Sequence, residues 1–210
     1  MDLMFLEKIY IIMGVLQMTS EQIDYKIRMQ STGVNQTEAF RFFDSLEPVS
    51  EKFMFGVWKG SECRSGHIMD GMLTIAPWYG KAFISTEKVH PLVFEDRSGK
   101  KYCVNPRKVF RYIENPAIMK FLTKFTRKVD EEELNFDTHK LDPVFKAYKT
   151  VKSKARLREI NYRGTVTAAM IYDDLAIIDV FRKIDDNTVL GVMDLKGKIG
   201  KKGYFFLLTK

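Results

Sequence analysis

Few residues in this chain have the type and spacing to do chemistry, so each can be weighed in turn. His67 and Asp70 stand three apart in a glycine-rich stretch running from Ser65 to Gly71. Within hydrogen-bond reach inside a pocket they could serve as an acid/base pair. Otherwise His67 only hydrogen-bonds its own turn. The chain holds three histidines, His67, His90 and His139, and none belongs to an H-E-x-x-H or similar ligand pattern. No metal is therefore expected. Cys63 and Cys103 lack a local activating motif, and no nucleophile elbow, P-loop or dinucleotide fingerprint occurs. No motif points to catalysis, no catalytic residue is assigned, and the reading leans away from an enzyme.

Other residues suit the grip on a small molecule. Trp78-Tyr79-Gly80-Lys81 joins two large rings, a flexible hinge and a cation. It could form a pocket mouth in which Lys81 meets a carboxylate or phosphate, or it could be an aromatic turn packed on the core. Asp179 and Arg182 lie three apart in a strand candidate, so they point to opposite faces. Arg182 falls on the largely apolar face of Ile178 and Val180, where a buried guanidinium needs a partner or a bound anion. Arg182 with Tyr172 could clamp a carboxylate as fatty-acid-binding barrels do, by analogy only. A structural ion pair is the alternative. Trp58, between Gly56 and Gly60, joins this set. The candidate ligand-binding residues are Trp58, His67, Asp70, Trp78, Tyr79, Lys81, Tyr172 and Arg182.

Positioning these groups requires a core, and the composition supplies one. The 210 residues carry 16 Phe, 9 Tyr, 2 Trp and 11 Met, a large stock of bulky side chains for a core or an apolar pocket. That length suits one all-β domain, or one domain with a helical subdomain. The net charge of +7 concerns partners rather than fold. No nucleic-acid motif accompanies it, so no nucleic acid is expected. Two lone cysteines fit a reducing compartment, and a cytoplasmic location is expected. Met4 to Leu16 is apolar, but Asp2 and Glu7 stand where a signal peptide carries positive charge. The clean run Ile9 to Leu16 is too short to cross a bilayer. Residues 1–34 read as a helical or disordered leader, with Met18 or Met29 as alternative starts.

Elements follow from period and punctuation. A helix is predicted from about Thr37 to Leu46, capped by Asn35 or Thr37, with Glu38 in its first turn and Pro48 stopping it. Strand candidates follow in FMFGVWKGSECR and GMLTIAPWYGKAF, and PLVFEDR-SGK-KYCVN reads as a hairpin. Between Asn105 and Val151 the apolar period lengthens to that of two helices divided by Pro116. The stretch Asp130 to Asp142 reads as a loop, and Val144 to Thr150 as a helical turn or a strand. The last 55 residues form a meander with turns at Gly164, Asp173–Asp174, Asp186–Asn187 and Lys196–Gly203. Both faces of Tyr204 to Leu208 are apolar, as in a barrel with helices packed outside.

Gly56-Val57-Trp58-Lys59-Gly60 is a G-x-W-x-G word. Such a word also opens lipocalin-like barrels, where the Trp plugs one end and the glycines admit close backbone approach. Further words follow in order: Gly66-His67, Asp70-Gly71, Trp78-Tyr79-Gly80-Lys81, His90-Pro91, Tyr162-Arg163-Gly164, Ala169-Met170-Ile171-Tyr172-Asp173, Ile178-Asp179, Phe181-Arg182-Lys183 and Leu190-Gly191-Val192-Met193-Asp194. In these the chain closely resembles the GXWXG family together with the C-terminal domain of unknown function that usually follows it, from about Thr37 to the C-terminus. Ile68 and Ala176 depart from the pattern at positions where proline is expected, which touches loop shape only. The resemblance implies fold and layout and carries no established activity. Some lipocalin-like barrels hold haem through one histidine, so His67 or His90 could be a proximal ligand. Without C-x-x-C-H, any haem would be non-covalent.

The expectation is a mainly β protein: a lipocalin-like antiparallel barrel of nine or ten strands, with an N-terminal helix and a helical insertion. Its parts are the leader 1–34, a GXWXG domain over 35–105, a helical insertion or cap over 106–152, and a β-meander over 153–210 that completes the barrel. The function expected is binding of a small hydrophobic ligand, such as a fatty acid or phospholipid, with no cofactor. An enzyme using His67 and Asp70, or non-covalent haem binding, are the alternatives. The basic segments 120–128 and 146–156 could meet an anionic membrane surface. Oligomeric state stays open.

Overall fold

A computed structural model of the chain describes residues 18–131, 136–197 and 202–210. Most of the expected leader, residues 1–17, lies outside the described residues. Helix α1 (Ser20–Gln30) opens the described part, closed by a Thr19/Gln22 capping box. Helix α2 (Gln36–Ser45) has the same device, with Asn35 and Glu38 exchanging side-chain and backbone hydrogen bonds. An Arg28–Glu38 ion pair at 3.1 Å ties the two helices together. A two-residue strand β1 (Glu47–Pro48) and a short helix α3 (Glu51–Met54) lead into the sheet.

The strands are β2 (Gly56–Glu62), β3 (Trp78–Ser85), β4 (Lys88–Glu95), β5 (Lys101–Cys103), β6 (Ala155–Tyr162), β7 (Thr165–Tyr172), β8 (Ile177–Asp185), β9 (Thr188–Leu195) and β10 (Tyr204–Thr209). Eight of them close a ring in the order β8-β7-β6-β4-β3-β2-β10-β9 and back to β8, all pairs antiparallel. β1 and β5 sit outside it, on β8 and β4. The ring is uneven. β6 and β7 match eight residue pairs, whereas β4 and β6 meet at the single pair Val89–Ala155. Two further bonds, Lys154 N–H to Val89 O and Leu157 N–H to Thr86 O, complete that seam.

Alternation along the strands builds two cores. One face fills the bore with Trp58, Phe83, Leu157, Met170, Phe181 and Leu208. The other face of β8, β9 and β10 presents Val180, Leu190, Val192, Phe205 and Leu207 to Phe42 and Phe43 of α2 and to Tyr25 and Met29 of α1. The double-sided apolar character of Tyr204 to Leu208 thus has its expected cause. Between β5 and β6 come helix α4 (Pro106–Ile113), helix α5 (Pro116–Glu131), a 3-10 turn over Thr138–Leu141 and helix α6 (Asp142–Lys146). Proline opens each of α4 and α5, where its missing N–H costs nothing.

Two local expectations are corrected. Residues 71–77, read as part of a strand, form consecutive turns, and β3 begins only at Trp78. Within the stretch read as the loop 130–142, helix α5 runs on to Glu131 and residues 138–141 are helical.

Candidate functional site

The G-x-W-x-G word puts its tryptophan into the core of the bore. Trp58 is fully buried and donates its indole N–H to Met54 O at 2.6 Å. The glycines around it are receptors for neighbouring groups. A Cβ on Gly60 would lie 2.1 Å from the Trp78 ring, and one on Gly80 would lie 2.0 Å from Trp58 O. Gly80 also has a φ of +152°, a conformation L side chains rarely adopt. Word and second tryptophan are therefore one interlocked unit, with Phe83 and Phe181 in edge contact further along the bore.

Under the helical insertion the bore opens into a cavity of about 410 Å³. Its walls are nearly all apolar. α4 contributes Val109, Phe110 and Ile113, and α5 contributes Ile118 and Leu122. The turns after β2 add Met69, Met72, Leu73, Ile75 and Ala76, while Leu92, Phe94, Met193 and Phe206 come from the strands. The turn segment is thus apolar because it walls this space, which explains why its composition reads as a strand.

One polar group stands in this apolar setting. Lys81 and Asp179 form an ion pair at 2.8 Å with side chains 4% and 1% exposed. Lys81 Nζ also reaches Pro91 O at 3.3 Å and lies 4.8 Å from the centre of the Phe206 ring. The Tyr172 hydroxyl donates to Asp179 Oδ2 at 3.3 Å. Asp179 Oδ1 and Trp78 Nε1 are buried and find no hydrogen-bond partner among the described residues. Burial pushes the Asp179 carboxyl up, and Lys81 opposes that rise. The Tyr172 phenol is held well above its ordinary value, first by burial and then by Asp179.

A second buried carboxylate shapes the wall. Glu62, at the end of β2, accepts from the N–H groups of Gly71, Leu73 and Thr74 and from the hydroxyls of Thr74 and Tyr204. Burial raises its pKa while these donors pull it down. Five donors on one carboxylate pin the turns 71–74 against β10.

Of the sequence candidates, Trp78, Lys81 and Tyr172 line the cavity together. The others stand elsewhere. Trp58 is packed in the bore core off the cavity wall, and Tyr79 is turned away, its ring under Lys101 Nζ at 4.0 Å. His67 and Asp70 do not line the cavity. Asp70 Oδ2 accepts the backbone N–H groups of Ser65, Gly66 and His67, and His67 Nδ1 accepts the N–H of Met69. Both side chains hold turns, and neither faces this cavity. His90 is also off the cavity wall, and burial lowers its pKa. No cluster of three or more His, Cys, Asp or Glu residues fit for a metal occurs among the described residues.

Arg182 corrects the expected clamp. Alternation in β8 puts Ile177, Asp179 and Phe181 in the bore and Val180, Arg182 and Ile184 outside, beneath α2. Arg182 is 1% exposed, with its guanidinium carbon 5.3 Å from the centre of the Phe43 ring and Nη2 3.5 Å from Tyr162 O. It cannot share a ligand with Tyr172 across the barrel wall. The residue that does meet Tyr172 is Asp179. Both faces of β8 are apolar, so sequence alternation alone could not choose between them. Glu62 too went unmarked, since a lone Glu at a strand end has no spacing signature.

Comparison with known proteins agrees with this geometry. The chain matches the family model described as GXWXG protein over residues 41–99 and the domain of unknown function DUF4334 over residues 153–210. A crystal structure of a protein from Thermomonospora curvata superposes with a TM-score of 0.61 and 29% identity, covering 91% of this chain and 99% of that one. No curated protein matches in sequence. No helix among the described residues is long and apolar enough to cross a membrane. With the motif word interlocked as above and the C-terminal meander completing the ring, the chain carries a GXWXG domain followed by DUF4334 in one lipocalin-like barrel.

Proposed function

We propose that the protein binds a small, largely apolar molecule in the cavity between the bore and the helical insertion. One observation carries this reading: a space of about 410 Å³ with apolar walls that also includes a buried Lys81–Asp179 pair. That volume falls within the usual range of small-molecule pockets, and a few polar groups among apolar walls is their usual chemistry. Each methylene transferred from water to such walls contributes about 0.8 kcal/mol, so a chain of about ten supplies the ~8 kcal/mol of micromolar binding.

Native mass spectrometry of the purified chain should show a co-purifying small molecule, and N-phenylnaphthylamine, a neutral apolar dye, should brighten on binding. Ala76→Phe, which adds a ring to the wall, should weaken the dye by at least about tenfold at unchanged stability. Absence of both a co-purifying molecule and dye binding would refute the reading.

The outer face of α5 supports loading from an anionic lipid surface. Phe121 there is 66% exposed, and Lys120, Lys124 and Arg127 flank it in exposed positions, while Ile118 and Leu122 of the same helix face the cavity. Segment 146–156 offers less. Lys146, Lys154 and Arg156 are paired with Asp96, Asp174 and Asp173, and Lys149 lies over the Tyr102 ring. The free thiols Cys63 and Cys103 favour a reducing compartment such as the cytoplasm.

A further inference from the structure

We infer that the cavity selects an uncharged molecule that carries a hydroxyl on an otherwise apolar body, and that Asp179 and Trp78 read that hydroxyl. The inference rests on the reading of the cavity as a ligand site and adds the chemistry of the ligand.

Charge comes first. Lys81 and Asp179 contact each other at 2.8 Å, so the pair sums to zero whether its proton sits on the amine or the carboxyl. Around it stand Tyr172, Trp78 and Phe206, which bring no formal charge. Glu62, the next carboxylate, is already engaged by Tyr204 and the turns 71–74. A fatty acid would bring a second anion beside Asp179 with no second cation among the lining residues, in a place where water screens poorly. A cationic amine would meet Lys81 with the same difficulty. Only a neutral group enters without an unbalanced buried charge.

Hydrogen bonding then narrows the neutral groups. Among the described residues, one buried atom on each of two lining residues lacks a partner: Asp179 Oδ1, an acceptor when ionised, and Trp78 Nε1, a donor. The Trp78 ring centre lies 5.8 Å from Lys81 Nζ, which sets that ring beside the ion pair. The Tyr172 hydroxyl spends its proton on Asp179 Oδ2 and keeps its oxygen as an acceptor. A group that both donates and accepts answers this set, and a hydroxyl is the smallest that does. An ester or ether accepts only and leaves Oδ1 bare, at the cost of an unsatisfied buried atom.

The test is displacement of N-phenylnaphthylamine from the full chain at neutral pH by decanol, methyl decanoate and decanoate, which share a chain length and differ at the polar end. Decanol should displace the dye at a concentration at least about tenfold lower than either rival. In Asp179→Asn the balance to Lys81 is gone, so decanoate should gain at least about tenfold on decanol. The wild-type series decides alone if that variant does not fold. Equal or tighter binding of decanoate by wild type would overturn the inference and leave ligand binding standing. Failure of the dye and all three compounds to bind would overturn both.

Discussion

Replace Lys81 with methionine, which keeps an unbranched stem and removes the charge together with the donor to Pro91 O. Asp179 then has one remaining partner, the Tyr172 hydroxyl at 3.3 Å, and its Oδ1 has none among the described residues. With side chains 4% and 1% exposed, solvent screens almost none of the lost attraction. Breaking a buried pair from one side costs about 3–5 kcal/mol, and chemical denaturation at neutral pH should read a loss of that size. The sign of the pH dependence follows from the same carboxyl. Burial already raises its pKa in the fold, and removing Lys81 removes what opposed the rise. A folded pKa above the unfolded value stabilises fully below the unfolded value of about 3.9 and is lost as pH climbs through the folded one. Lys81→Met should therefore lose stability as pH rises above about 3.9, by up to roughly 1.36 kcal/mol per unit, until the raised folded pKa is passed. Adding Asp179→Leu removes the stranded group and should return most of the loss at all pH values. A single variant that costs less than about 1 kcal/mol and shows no pH dependence would refute the reasoning.

Three further outcomes test other parts. Gly80→Ala puts a Cβ 2.0 Å from a backbone oxygen at a φ of +152°, so it should destabilise by more than about 4 kcal/mol or abolish folding, read by thermal melting. Glu62→Gln turns part of a five-donor acceptor into a donor, and should cost roughly 2–3 kcal/mol. Hydrogen exchange at Gly71, Leu73 and Thr74 should speed up selectively. Lys120→Glu with Lys124→Glu should slow dye transfer from anionic vesicles by about tenfold or more, leave transfer from neutral vesicles unchanged, and remove the salt dependence.

Much of the frame was legible because it is coded locally. Asn35 and Glu38 announce α2, Pro116 divides α4 from α5, and turn residues separate the strands of the C-terminal meander. What escaped is coded by long-range contact. The side of β8 that faces inward depends on α1 and α2 covering the other side, and this placed Asp179 rather than Arg182 beside Tyr172. The turns 71–77 are apolar because helices α4 and α5 stand over them, an arrangement that local composition does not encode. Glu62 matters through a partner 142 positions away in sequence. Lys81 and Tyr172 were visible as candidates, but their common partner was not.

The single matched pair between β4 and β6 sets the mechanics of the whole ring. A closed sheet normally has no edge to start from, because each strand is stitched to both neighbours. Here, parting one junction needs only a few backbone bonds, while its opposite flank, β6 against β7, is stitched along eight. The cylinder therefore behaves like a sleeve with a buttoned slit. Any widening of the ring should begin along that line, ahead of the longer ladders.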